Sequence, residues 1–109
     1  MPRFELAVPR NTPKGAPIVA RLLVGQSEFN HETVIIPKNH AYLAGLQVRA
    51  GRAGIVIPTS DSNVPWLRGD NDTIRYNIHI QLDPPQYVIE LYGYNEDDTF
   101  DHTFYMDLE

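Results

Sequence analysis

The stretch TIRYNIHIQL, residues 73–82, decides the fold class because every second residue in it is apolar. A period of two belongs to a β-strand that buries one face, and it does not fit the apolar stripe of a helix. The pattern therefore predicts a strand with one half-buried face. His79 falls on the polar face of that strand, where we expect it to be solvated.

Similar patterns recur along the chain, and turn formers separate them. Alternating apolar residues occur near the start at Phe4, Leu6 and Val8, and near the end at Phe104, Met106 and Leu108. The predicted strands span about eight segments, at residues 3–9, 17–24, 32–37, 41–50, 53–58, 73–82, 86–94 and 102–108. Such a chain predicts an all-β fold, a two-sheet antiparallel sandwich of about eight strands, most simply a jelly roll. An immunoglobulin-like sandwich is the alternative, but its cysteine–tryptophan–cysteine signature is missing.

The length of 109 residues allows one domain. Within it we predict an extended N-terminal strand or arm at residues 1–16 and the β-sandwich at residues 17–109. The segment 8–17 holds three prolines and two basic residues, so we expect it to be extended and semi-rigid.

Composition excludes several classes of function. A net charge of −5 argues against nucleic acid as a partner, because affinity for phosphate backbones comes from a basic face. The absence of cysteine excludes disulfides, thiolate nucleophiles and thiolate metal sites. No apolar run reaches the roughly 20 residues of a membrane helix, and the start MPRFELAV lacks the order of a signal peptide. We therefore expect no membrane partner.

Charge is distributed unevenly between the two ends. Residues 1–21 contain the basic residues Arg3, Arg10, Lys14 and Arg21, whereas residues 83–109 carry eight acids and no lysine or arginine. Opposite ends can attract each other within one chain or between neighbouring subunits. Arg3, Arg10 and Lys14 are therefore candidate interaction residues.

Metal and catalytic motifs are weak. The four histidines share no ligand spacing, so a histidine-based metal site would need a cluster formed only by folding. Asp70, Asp72, Asp97 and Asp98 are candidate calcium ligands, but aspartates also shape turns without any ion. No nucleophile elbow or phosphate loop is present. We predict no catalytic residue, no metal and no cofactor.

The C-terminal stretch GYNEDDTFDHTFYMDLE, residues 93–109, crowds acids and a histidine together. We interpret residues 94–101 as a loop, in which Asn95, Asp97 and Asp98 shape the turn. His102 to Leu108 then forms the final strand, with its apolar residues in the core.

Aromatic residues offer a second kind of interaction site. Tyr92, Tyr94 and Tyr105 fall at predicted outward positions of the last two strands, where they could stack on sugar rings or pack against a neighbouring subunit. They could equally be part of an ordinary sheet face. Trp66 lies in a long polar loop at residues 58–72 and is expected to plug one end of the sandwich.

Three segments carry a resemblance: HETVIIPKNHAYLAGLQV at 31–48, GDNDTI at 69–74 and YNEDDTFDHT at 94–103. Together they resemble small β-sandwich proteins encoded among phage and viral structural genes, of the capsid-decoration or accessory type. The resemblance implies a non-enzymatic virion component that forms a homo-oligomer and clamps a larger capsid or tail protein. It also implies a location in the virion or the host cytoplasm.

Two functions follow as hypotheses. The first is a structural assembly protein whose N-terminal arm crosses to the acidic region of an adjacent subunit, plausibly in a trimer. The alternative is a carbohydrate- or ligand-binding module that uses Trp66, Tyr92, Tyr94 and Tyr105. A small enzyme would need an ordered metal or a deep polar pocket.

Overall fold

The computed structural model describes residues 3–25, 27–50, 55–57, 66–82 and 87–109, with the backbone alone at 55–57. It contains eight strands, β1 to β8 in chain order. Their bounds are Arg3–Val8, Ile18–Leu23, Glu28–Ile36, Ala44–Ala50, Ile55–Ile57, Asp72–Gln81, Val88–Asn95 and His102–Leu108. None of the described ranges contains a helix that could cross a membrane.

The strands form two four-stranded sheets with the orders β1-β8-β3-β6 and β2-β7-β4-β5. Every paired neighbour is antiparallel. This arrangement of eight strands is that of a jelly roll and differs from the immunoglobulin order. The predicted fold class is therefore confirmed.

Strand β6 shows why alternation identifies the fold. Its odd-numbered side chains, including Arg75 and His79, are exposed, and its even-numbered ones, including Tyr76 and Ile78, are half-buried. The apolar face packs against the core, while the edge position of β6 leaves it partly open. The prediction that His79 is solvated is confirmed.

The last strand supplies the centre of the core. Phe104, Met106 and Leu108 are each at most 1% exposed, as their alternation predicts. Burying an apolar side chain of this size contributes about 1.5–3 kcal/mol. Strand β8 lies between β1 and β3, so its inward residues are covered from both sides.

The N-terminal strand belongs to the same sandwich. Leu6 and Val8 lie in the core, and β1 pairs with β8 from Arg3 opposite Asp107 to Val8 opposite His102. The region predicted as an arm, residues 1–16, thus contains a strand that pairs within its own chain. The division of the chain at residue 16 stays a prediction.

Strand β3 begins at Glu28, four residues before the predicted start at residue 32. A bulge between Phe29 and His31 shifts the register with β6. Downstream of the bulge, Glu32 falls on the same inward face as Val34 and is 0% exposed. A polar stretch with an extra residue does not show a clean period of two, which explains the missed start.

Candidate ligand-binding cleft

A cleft of about 630 Å³ opens at one end of the sandwich. The β3–β4 loop, the segment before β6 and the β7–β8 loop meet there. Its lining residues are Lys38, Asn39, Ala41, Leu43, Asp70, Asp97, Thr99, Phe100, Asp101 and His102. Ligand sites commonly take this form, in which apolar walls carry a few polar groups.

The β3–β4 loop has an unusual backbone. Asn39, Ala41 and Tyr42 have φ values of 76°, 48° and 62°. The left-handed region suits asparagine, but it costs energy for alanine and tyrosine. Such strain persists where surrounding contacts hold it, and it concentrates at functional sites.

Four backbone hydrogen bonds hold this loop in place. Within the loop, the N–H of Leu43 donates to the carbonyl of His40 over 2.9 Å. The other three join the loop to the two other segments that form the cleft: Tyr42 N–H to Gly69 and Asn71 N–H to Pro37, each over 3.2 Å, and Glu96 N–H to Leu43 over 2.9 Å.

The β7–β8 loop is organised by Asn95 and Asp97. Asn95 Oδ1 accepts the N–H of Asp97 over 2.9 Å, and Asp97 Oδ1 accepts the N–H groups of Thr99 and Phe100 over 2.8 and 3.3 Å. Asn95 Nδ2 donates to the carbonyls of Val8 and Phe100. These bonds confirm that Asn95 and Asp97 shape the turn, and they fix where Phe100 lies.

A buried pair of histidines supports the base of this loop. His102 Nε2 donates to Asp97 Oδ2 over 2.8 Å, and the His102 ring lies 4.4 Å from the His40 ring, centroid to centroid. The His40 ring also meets Phe104 edge-on at 4.8 Å. His40 and His102 are 62 positions apart in the sequence, so only the fold brings them together.

Electrostatics set the protonation states of Asp97 and His40. The Thr99 N–H, followed by the hydrogen bond from His102, holds the pKa of Asp97 below its usual range. Burial, together with the adjacent His102, lowers the pKa of His40 from 6.5 to about 4. His40 therefore stays neutral near pH 7, and Asp97 stays ionised.

Most of this cluster is buried. His40 and His102 are 1% and 5% exposed, although Asp97 and His102 contribute to the lining of the cleft. Both carboxylate oxygens of Asp97 already accept hydrogen bonds. The cluster thus holds the β7–β8 loop in place at the base of the cleft.

The calcium candidates share parts of this region. Asp70 and Asp97 both line the cleft, whereas Asp72 Oδ2 accepts the N–H of Asp70 and Asp98 Oδ1 accepts the hydroxyl of Thr99. Within the described ranges, no three acid or histidine side chains are grouped closely enough to hold a metal ion. The geometry accounts for Asp72, Asp97 and Asp98 as turn-forming residues.

The solvent side of the cleft combines apolar and charged groups. Phe100 is 62% exposed and Leu43 is 39% exposed. Lys38 and Asp70 lie in the same lining and are also exposed. Because exposed apolar surface is unfavourable in water, this mixed surface is suited to a ligand that has both apolar and hydrogen-bonding groups.

The three basic candidates pair within the chain. Arg3 makes two bonds to Asp107, and Arg10 Nη1 donates to the carbonyl of Thr99 while its backbone N–H donates to Asp101. The Lys14 ammonium lies 4.9 Å from the centroid of the Tyr94 ring. The basic N-terminal and acidic C-terminal regions therefore meet within one molecule. This is the first of the two arrangements considered above, the second being contact between neighbouring subunits.

The tyrosines do not form one surface. Tyr92 and Tyr94 lie on β7 in one sheet, whereas Tyr105 lies on β8 in the other, so their outward faces point in opposite directions. The three tyrosines take the outward positions that alternation predicts, but the jelly-roll connection places β7 and β8 in different sheets. A single site that uses Tyr92, Tyr94 and Tyr105 together is therefore incompatible with the topology.

Tyr94 is 0% exposed although it is on the outer face of its sheet. Trp66 covers it edge-on at 4.9 Å, and Gly45 leaves room for its ring. Tyr92 lies beneath the Arg49 guanidinium at 4.0 Å. Trp66 thus packs on Tyr94, and the expectation that it plugs one end of the sandwich stays a prediction. The loop residues 58–65 that precede it lie outside the described ranges.

Comparison with known proteins adds no argument about this chain. No family model and no curated protein matches the chain. One solved structure, the pre-peptidase C-terminal domain of a collagenase from Bacillus anthracis, is similar with a TM-score of 0.49 and 13% identity. The match covers 99% of this chain and 88% of that chain, and at this level of similarity it carries no functional argument.

Proposed function

We propose that this protein is a non-enzymatic recognition module that binds a carbohydrate in the end cleft. The observation that carries the proposal is the exposure of Phe100 and Leu43 beside the charged groups of Lys38 and Asp70. Carbohydrate binding was the alternative hypothesis from the sequence. The cleft supports it through different residues from those expected.

A sugar ring matches both halves of this lining. Its C–H face is apolar and can stack on the ring of Phe100. Its hydroxyl groups can donate to the carboxylate of Asp70 and accept from the ammonium of Lys38, while the Asn39 amide can do both. The hydrogen-bonded loops present these groups in a fixed arrangement, which reduces the entropy lost on binding.

The non-enzymatic part of the proposal has its own support. The Asp97–His102 pair resembles a catalytic dyad in composition, but both residues are buried and their bonds point into the loop. Both oxygens of Asp97 are engaged within the loop, which favours a supporting role for this pair.

Isothermal titration calorimetry against a panel of neutral and acidic oligosaccharides tests the proposal. We expect at least one member to bind, with Phe100→Ala and Asp70→Asn each weakening it by about tenfold or more, the equivalent of one lost contact. Leu23→Ala and Asp98→Asn are the matched controls, since both residues are exposed and lie outside the cleft lining. Binding that survives Phe100→Ala unchanged would refute the site, and a panel without any binder would refute the ligand class.

The assembly role implied by the viral resemblance is a second proposal. It requires contacts between copies or with a larger capsid or tail protein, and the exposed apolar residues Val19 and Leu23 of β2 favour such contacts. The exchange of an N-terminal arm in a trimer stays a prediction. In the single chain, β1 pairs with β8 of the same molecule. A mass measurement in solution separates a trimer from other states.

A further inference from the structure

Strand β2, Ile18–Leu23, is an edge strand with an apolar outer face. Val19 and Leu23 are 50% and 69% exposed, and the exposed Arg21 lies between them. On the inner face, Ala20 and Leu22 are only half-buried although they pack against the core. Both faces of this strand are therefore apolar and incompletely covered.

The edges of the other sheet are built differently. The exposed positions of β6 are polar or charged: Thr73, Arg75, Asn77, His79 and Gln81. Those of β1 include Arg3 and Glu5. Charged and polar edges discourage pairing with another sheet, so β2, in which Arg21 is the one charged residue, is less protected than β1 and β6.

The sequence of β2 is self-complementary about Arg21. If two copies of the strand pair antiparallel with Arg21 opposite Arg21, Val19 of each copy faces Leu23 of the other on the outer face. On the inner face, Ala20 faces Leu22 in the same way. Apolar pairs of this kind stabilise neighbouring strands, and a two-fold axis forms each pair twice.

Charges run along the centre of this pairing. Arg21 stands opposite Glu90 of β7, and Glu90 in turn stands opposite Arg49 of β4. Across the two-fold axis the row would read Arg49, Glu90, Arg21, Arg21, Glu90, Arg49. Each Glu90 carboxylate offsets part of the repulsion between the two Arg21 side chains, so the apolar pairs carry most of the interface.

We infer that the partner of β2 is a second copy of this chain, joined edge to edge into a continuous eight-stranded sheet with a two-fold axis at Arg21. This inference goes beyond ligand binding in the cleft and does not depend on it. A single strand pair makes a small interface, so we expect a concentration-dependent dimer.

Sedimentation equilibrium of the full chain over a wide concentration range tests this inference. We expect twice the single-chain mass at high concentration, and a dissociation constant raised at least tenfold by Leu23→Lys or by Val19→Lys. Tyr42→Lys is the matched control, because Tyr42 is 61% exposed and lies far along the chain from β2. Circular dichroism confirms that each variant is folded.

A charge exchange tests the position of the axis. Arg21→Glu should weaken the dimer, because four carboxylates would then share one row. The double variant Arg21→Glu/Glu90→Arg should restore part of the affinity, because each introduced carboxylate again has a guanidinium beside it in its own sheet. A wild-type chain that stays monomeric at all concentrations would overturn the inference, as would a dimer or trimer unaffected by the β2 variants.

Discussion

His102 donates a hydrogen bond from Nε2 to Asp97 Oδ2 over 2.8 Å, and this bond joins the start of the last strand to the loop that precedes it. The other oxygen of Asp97 receives the N–H groups of Thr99 and Phe100. One carboxylate thus determines where the exposed ring of Phe100 lies in the cleft.

Asp97→Ala should loosen the β7–β8 loop, because the two backbone donors and the His102 donor lose their acceptor. We expect a lower urea midpoint and faster amide hydrogen exchange at Thr99 and Phe100. Asp98→Ala is the control, since Asp98 is exposed and accepts only the Thr99 hydroxyl among the described side-chain bonds. Equal midpoints for the two variants would show that Asp97 does not organise the loop.

Glu32 should make the fold less stable as pH rises. Its carboxylate is 0% exposed and has no hydrogen-bond partner among the described residues, and burial raises its pKa from 4.5 to about 8. Between these values the folded state holds a proton that the unfolded state has lost. The contribution of the protonated Glu32 to the free energy of unfolding is therefore complete below about pH 4.5 and lost by about pH 8. The maximum change in this free energy is about 5 kcal/mol.

Urea unfolding from pH 4.5 to pH 8.5 measures this effect. Glu32→Gln removes this titrating group but leaves His40, whose pKa is lowered to about 4 and which stabilises the fold as pH rises to about 6.5. Because the His40 contribution is common to both proteins, we expect the free energy of unfolding of Glu32→Gln to rise relative to that of the wild type between pH 4.5 and pH 8. Glu5→Gln is the control, because Glu5 is exposed on β1 and should keep the wild-type slope. Parallel slopes for the wild type and Glu32→Gln would contradict the prediction.

Met106→Asp should unfold the protein or destabilise it by several kcal/mol, about the cost of burying an unpaired ion. Met106 is 1% exposed and lies in the core cluster. Thr103→Asp, at a half-buried outward position of the same strand, should have a much smaller effect on thermal unfolding. A folded Met106→Asp variant of normal stability would mean that the side chain of Met106 faces outward from β8 and not into the core.

Gly93→Ala should destabilise the sandwich by about 1–3 kcal/mol, the usual cost of overpacking. A Cβ at this position would lie 2.6 Å from Val8 Cγ2 and 2.8 Å from Leu6 Cδ2, both in the opposite sheet. Gly25→Ala provides the control because no atom lies within 4 Å of its added Cβ. Thermal denaturation of Gly93→Ala and Gly25→Ala compares the two variants directly. Equal melting temperatures would contradict the close approach of the two sheets at Gly93.

The alternating strands were predictable because period two is a local property. β6 and β8 lie within one residue of their expected positions, and Phe104, Met106 and Leu108 are in the core as expected. The beginning of β3 was not predictable, since a bulge interrupts the alternation at polar residues. The alternation of apolar and polar residues does not indicate the order of strands in a sheet. For this reason the sequence did not separate Tyr105 from Tyr92.

The cleft could not be predicted, because its residues come from three separate segments. Lys38, Asp70 and Phe100 carry no shared motif, and nothing in their spacing indicates that the loops meet. The four aspartates did draw attention to the correct loops. Their chemistry was less informative, since Asp72, Asp97 and Asp98 are explained by bonds within their own turns.

The proposed function requires the end cleft to bind a ligand. The most direct test is the titration of isotopically labelled protein with the tightest oligosaccharide from the calorimetric panel, followed through amide chemical shifts. We predict the largest shifts at Lys38–Leu43 and Thr99–Asp101, and their disappearance in Phe100→Ala. Shifts centred on Tyr92 and Arg49, or an absence of shifts with every sugar tested, would contradict the claim.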